Sequence, residues 1–228
     1  MPLSAMTIEK VAPKVTPLPG EQEKVVFEKI ARREPIPFDV LIQALNANQT
    51  TLRADAATLL GDSGNMQAVP YLIDALSDES GHVGRDYAEA GMATTRYRAN
   101  ESLKKLTHQD FDYVWDAPKP KRQIAIQKWI IWWKKLESEY KRGEAAALND
   151  INKGKYIYTL GGKRAPENPQ LEPQSLKQYG VTFKFLGCMI TQYDSGYRDT
   201  VIKALKEKYG FDPIMKLYRE LEEQKKNP

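Results

Sequence analysis

Apolar residues in the first half of the chain follow a phrase that occurs twice. Leu41-Ile42-Gln43-Ala44-Leu45 returns as Leu72-Ile73-Asp74-Ala75-Leu76, 31 residues later. In each copy the apolar positions fall at i, i+1, i+3 and i+4. At about 3.6 residues per turn these form one continuous face, so each phrase predicts a helix with a buried stripe. A polar break follows both, at residues 46–49 and 77–81, and then a second helix. In the first copy it spans residues 53–61, with small residues where a neighbouring helix must come close and Gly61 as its expected left-handed stop. The second copy sets Arg96, Ala99 and Leu103 opposite Arg53, Ala56 and Leu60, at an offset of 43. Twelve extra residues therefore fall in the Gly- and Ala-containing stretch 81–94, an insertion in the second repeat. Val83-Gly84-Arg85 is a rival start for the same helix, and the pattern leaves both open.

Two flanking segments are suited to cap such a pair of repeats. Residues 21–33 predict one helix before them. Residues 121–142 predict another, in which Ile126, Trp129, Trp133, Leu136 and Tyr140 form a seam at spacings of 3, 4, 3 and 4. Ile130 and Trp132 widen the seam, while Lys121, Arg122, Lys128, Lys134, Lys135, Lys141 and Arg142 make the remaining face basic. Pro118 and Pro120 stand where proline suits the start of a helix. One reading is a capping helix whose aromatics are buried. The other is a binding surface, with lysines for phosphates or an acidic partner and an indole left for stacking.

Helical periodicity weakens past Glu144. Residues 154–162 are a β-leaning run ended by a Gly pair, and residues 181–186 are a second one, so a short β-hairpin would join them across a proline-marked linker (Pro166, Pro169, Pro173). Gly161-Gly162-Lys163 lacks the spacing and the following hydroxyl of a phosphate-binding loop. Residues 196–209 read as a helix stopped by Gly210. Residues 213–224 read as a last amphipathic helix, whose Ile214, Leu217, Tyr218 and Leu221 are expected to pack on the repeats, with docking to a partner as the alternative. At the other end, residues 1–20 carry four prolines and predict a disordered or extended leader.

Composition narrows the class. A single cysteine, Cys188, excludes an intrachain disulfide scaffold. No run approaches the ~20 apolar residues of a membrane span, so a soluble protein is expected. The default compartment is the cytoplasm, with a processed exported (periplasmic) protein left open. The net charge is +4, yet residues 36–113 carry −5 and residues 114–155 carry +5, an asymmetry that favours a charged partner.

The run LIQALNANQTTLRADAATLLGDSGNMQAVPYLIDALSDES resembles HEAT repeats, in particular the short kind found in phycobilisome lyases, over about residues 36–107. The resemblance implies a mainly α fold: a HEAT-like α-α superhelix, or solenoid, that binds protein on its concave face, here with helical caps and an irregular C-terminal arm. Arg53 and Arg96 then read as ladder arginines tying one repeat's turn to an Asp of the next, such as Asp39 or Asp78. The expected organisation is a leader at 1–19, a repeat domain at 20–145 and an arm at 146–228.

Catalytic chemistry is sparse. The histidines are His82 and His108, and no CxxC, HExxH or repeated His-Glu pair occurs, so no metal site or cofactor is expected. The stretch 107–113 places His108 near Asp110 and Asp112, and a helix end closed by a non-helical residue accounts for it better than acid–base catalysis. Cys188 reads as a small buried hydrophobe. The expectation is a non-catalytic interaction scaffold, adaptor or accessory subunit within a multi-subunit assembly. Arg85, Arg98, Lys128, Trp132, Lys134 and Lys135 are its candidate contacts, because their helical phase points away from the apolar seams. The alternatives are a nucleic-acid binder using the basic Trp-rich helix and a bilin-lyase-like chromophore handler.

Overall fold

Residues 8–80, 94–160, 170–187 and 190–226 are described by a computed structural model. They divide at residue 133 into two units, each with its own core.

The first unit holds α1 (Gly20–Ala31), α2 (Phe38–Ala44), α3 (Thr50–Asp62), a 3-10 turn (Met66–Ala68), α4 (Val69–Ala75), α5 (Thr95–Thr107) and the start of α6 (Lys119–Asn152). The duplicated phrases are α2 and α4, and their mates are α3 and α5. Pro70 sits in the first turn of α4, where its missing N–H is not needed. Each first helix packs on its mate, and α3 packs extensively on α5. The repeat register is visible in burial: Ala56 and Ala99, and likewise Leu60 and Leu103, are fully enclosed. Trp129 and Ile126 of α6 join Leu52, Leu72, Ile73 and Leu76 in the same core.

Gly61 is not the left-handed stop. It lies inside α3, which runs on to Asp62 and is capped by Ser63, and Gly64 takes the positive φ of 67°. The physical reason is close helix approach: a Cβ at Gly61 would collide with the Ser102 side chain and come within 2.9 Å of its Cα. Among the described residues α5 begins at Thr95, where the Thr94 hydroxyl accepts from the Tyr97 N–H at 3.3 Å. The rival start at Val83 lies outside the described residues. The expected N-terminal cap is α1. Its buried Glu23 accepts from the Asn48 backbone N–H (2.8 Å) and side-chain amide (3.1 Å), fixing the turn between α2 and α3.

The second unit contains the rest of α6, β1 (Tyr156–Leu160), α7 (Leu171–Tyr179), β2 (Val181–Phe185), α8 (Gln192–Tyr209) and α9 (Pro213–Lys226). The strands pair in parallel, Tyr156 opposite Val181 through Leu160 opposite Phe185, so the expected hairpin is replaced by a crossover. A hairpin reverses the chain in a few residues. Here α7 lies in the connection, and the chain leaves β1 at Leu160 and returns to the Tyr156 end before β2 begins, which makes the pairing parallel. Pro173 is tolerated because it falls in the first turn of α7.

Val201, Leu205 and Ile214 bury with Ala147, Tyr158 and Val181. Leu217 and Leu221 pack with Leu171 of α7, and Tyr218 is exposed. The pattern of 213–224 predicts this stripe, and α7, which the prolines mark as linker, supplies cover for it. Gly210 ends α8 with φ of 77°, as expected. Gly143 of α6 and Gly196 of α8 let those helices touch backbone to backbone, since a Cβ on either would strike the other helix's main chain at Tyr193 or Tyr140.

Candidate partner-binding site

The chemistry of the first unit begins with three arginines that hold turns together. Arg53 donates from Nε to Asp78 Oδ2 (2.8 Å) and from Nη1 to the carbonyls of Ala47 (2.5 Å) and Asn48 (3.0 Å), and Nη2 reaches the Ser80 hydroxyl. The ladder reading of Arg53 therefore holds, with Asp78 as its partner in the next repeat. Arg96 is buried and donates to the carbonyls of Trp115 (2.7 Å) and Asp78 (3.1 Å), with Glu79 at 3.7 Å. The sequence pattern places Arg122 on the basic outer face of α6. It is instead buried, donating to Ala117 O (2.6 Å) and to Glu79 Oε2 (2.5 Å). A guanidinium surrounded by carbonyls and a carboxylate can turn inward because its fork satisfies several acceptors at once.

A second feature is the segment before α1. Residues 8–19 form no helix, strand or turn, with one bend at Ala12, yet they are not loose. Ile8, Val11, Val15 and Leu18 pack against the repeat core, while Glu9, Lys10, Pro13, Lys14, Thr16, Pro17 and Pro19 face solvent. The Asp74 carboxylate on α4 accepts from the N–H groups of Val11 (2.9 Å) and Ala12 (3.3 Å). Burial of Asp74 raises its pKa, against the two N–H donors and the Lys10 charge, which lower it. A cavity of about 350 Å³ remains beside this strap, walled by Ile8, Asp74, Leu76, Lys119, Arg122 and Ile126. Composition marked these residues as leader; the 3-4-3 spacing of their aliphatic positions was the signal available for a docked strap.

The third feature is the outer face of α6. Within the first unit Lys121, Ile124, Lys128 and Ile131 follow spacings of 3, 4 and 3 and are exposed, Ile131 to 68%. Lys128 pairs with Asp112 at 3.4 Å, both well exposed, a weak surface pair. Trp132 does not stand free as an exposed indole. It is half-buried, its ring 5.6 Å from Trp129, 6.2 Å from Phe111 and 6.4 Å from Trp133, because this aromatic cluster draws in the side of the helix that the seam alone left outside. Lys134 and Lys135 are exposed on the part of α6 that belongs to the second unit. Arg98 is exposed on α5, its guanidinium 5.8 Å from the Tyr97 ring. Arg85 lies outside the described residues. Ile124 and Ile131 were not singled out from the sequence, although their seven-residue spacing between lysines was there to be read.

Residues 38–117 match the family model of HEAT repeats. Those residues carry HEAT repeats. The match takes in α2 through α5, both helix pairs, and leaves α1 and α6 as the flanking helices of the HEAT unit. It is a match to HEAT repeats in general and contains nothing specific to the lyase kind. No curated protein and no solved structure matches the chain.

The suggestive stretch after the second HEAT pair is structural. His108 takes a left-handed conformation (φ 54°) at the end of α5, with its N–H donating to Lys104 O at 2.9 Å. Asp110 pairs with Lys104 at 2.9 Å, and that hydrogen bond holds its carboxyl below the usual range. Phe111 meets Trp129 edge-on at 4.6 Å, and the buried Tyr113 hydroxyl donates to Leu76 O at 2.7 Å. His82 and Cys188 lie outside the described residues. Among the described residues no three His, Cys, Asp or Glu side chains gather as metal ligands, and no helix is long and apolar enough to cross a membrane.

Proposed function

We propose that this protein is a non-catalytic adaptor or accessory subunit that docks a protein partner on the outer ridge of α6. The observation that carries the proposal is the exposure of Ile131 and Ile124 in one stripe with Lys121 and Lys128. Aliphatic side chains at seven-residue spacing, alternating with cations, suit an amphipathic helix that brings apolar residues and carboxylates. HEAT repeats generally mediate protein interactions, which supports the class of function. Arg98, Lys134 and Lys135 remain candidate contacts on their own parts of the surface.

The experiment is affinity purification of the tagged chain from its native cells, identification of what accompanies it, and repetition with Lys128→Glu and Ile131→Glu together. Partner recovery should fall about tenfold or more, the order expected for losing a central apolar contact, while the circular dichroism of the variant stays native. Undiminished recovery would remove this ridge from the proposal. The basic lysines also favour a second reading, a polyanion ligand. Retention on a phosphate-bearing column that is lost steeply with salt and depends on these lysines would favour nucleic acid over protein.

A further inference from the structure

The chain's own residues 8–18 sit against α4 in the manner of a bound peptide. Their hold on Asp74 is through backbone N–H groups, which any non-proline sequence supplies, and their side-chain contacts are four aliphatic residues at 3-4-3 spacing. Pro13 follows the two donors and ends the run of available N–H groups. Nothing in the repeat requires Asp74: its counterpart in the first copy is Gln43. Among the described residues a cavity remains beside Ile8, lined by Leu76 and Ile126 together with Lys10, Glu79, Lys119 and Arg122.

We infer that this cleft is a binding site for an open, non-helical segment of a partner protein, and that residues 8–18 are its resident occupant, displaced when the partner binds. The partner segment presents aliphatic side chains at 3-4-3 spacing, a cation where Lys10 stands, and two consecutive amide donors to Asp74. At the position of Ile8 it carries a larger apolar side chain that fills the cavity. The site is separate from the outer ridge of α6 and does not depend on that reading.

A fluorescent peptide of residues 8–19 serves as the probe, with anisotropy as the readout. A tethered strap acts at an effective concentration of order millimolar, so the native chain should bind the peptide ~100-fold more weakly than a full-length chain whose strap is loosened by Val11→Asp and Val15→Asp. Adding Asp74→Ala to the loosened chain should weaken binding about tenfold or more, because both charge-assisted acceptors are lost. A peptide with Phe in place of Ile8 should bind more tightly, and a scrambled peptide should not bind. Lys128→Glu and Ile131→Glu should leave these affinities unchanged, which separates this site from the ridge.

Equal affinity for native and loosened chains, or no binding to a loosened chain of native helicity, overturns the site. If the loosened chain does not fold, the native chain is given a protease site after Pro19 and cut once folded. A strap that exchanges with labelled peptide then supports the inference, and one that neither leaves nor exchanges overturns it. A concentration-dependent dimer with exchanged straps would assign the cleft to a second copy of this chain and overturn the partner assignment.

Discussion

Asp78 is pulled in two directions. Burial raises its pKa, but hydrogen bonds from the Ser80 hydroxyl, the Arg53 guanidinium and the Ser80 N–H outweigh burial together, and the net shift is downward. A carboxyl with a folded pKa below its unfolded one stabilises the fold above the unfolded value, and that stability is lost as pH falls through the folded value. Asp78→Asn should therefore cost about 2 kcal/mol at pH 7. The difference from the native chain should shrink as pH falls from about 4, the usual carboxyl value, towards the lower folded value, where the native carboxyl is protonated too. Urea unfolding at pH 7 and pH 3 measures both, and a difference that does not change with pH would count against this account. Asp74 has the opposite sign: its pKa is raised, so folding takes up a proton there and acid favours the fold at that residue. Neither direction could be read from the repeated phrase, which has Gln43 where its second copy has Asp74 and ends before Asp78.

At the scale of elements, the seam between α3 and α5 depends on one missing side chain. Gly61→Ala places a methyl group into Ser102, whose hydroxyl already donates to Ala57 O at 2.8 Å. The expected loss is about 1–3 kcal/mol, the usual cost of overpacking. Ser102→Gly in the same chain should recover part of it in a double-mutant cycle, since the Ser102 Cα remains 2.9 Å from the new methyl. Additive losses would show that the two residues do not compete for the same space. Helical periodicity predicted both partners of this seam, because burial on one face must recur every three to four residues. It misjudged Gly61, because a glycine near a helix end suits a left-handed stop and a close crossing equally. It misjudged Arg122 for a related reason: a long cation on the margin of an apolar face can snorkel outward or turn inward, and Glu79, in the turn after α4, decides.

At the scale of the whole molecule, the two units rest on separate cores. In the second, Gly143 and Gly196 meet opposing main chain, which cannot rotate aside as a side chain can. Gly196→Ala should therefore loosen that unit selectively. Hydrogen exchange should quicken most in α8 and α9 and in the strands, while the amides around Leu72 and Leu103 keep their protection. Equal acceleration in both units would mean that they unfold as one. The stretch 146–228 reads as an irregular arm because its elements are short and its prolines resemble punctuation. A two-stranded parallel sheet leaves little alternation to detect, and α7 is only nine residues long.

Local pattern alone determined the helix pairs, their repeat register, the flanking helices and the HEAT resemblance, since each follows from which residues must face inward on a regular helix. It also established the scarcity of His and Cys that turns the reading away from catalysis. Tertiary structure decided which cations remain on the surface, which indoles are enclosed, how the two strands run, and that a proline-rich leader lies against Asp74. Those outcomes depend on groups far apart in the chain arriving at the same place, and sequence spacing does not record that distance.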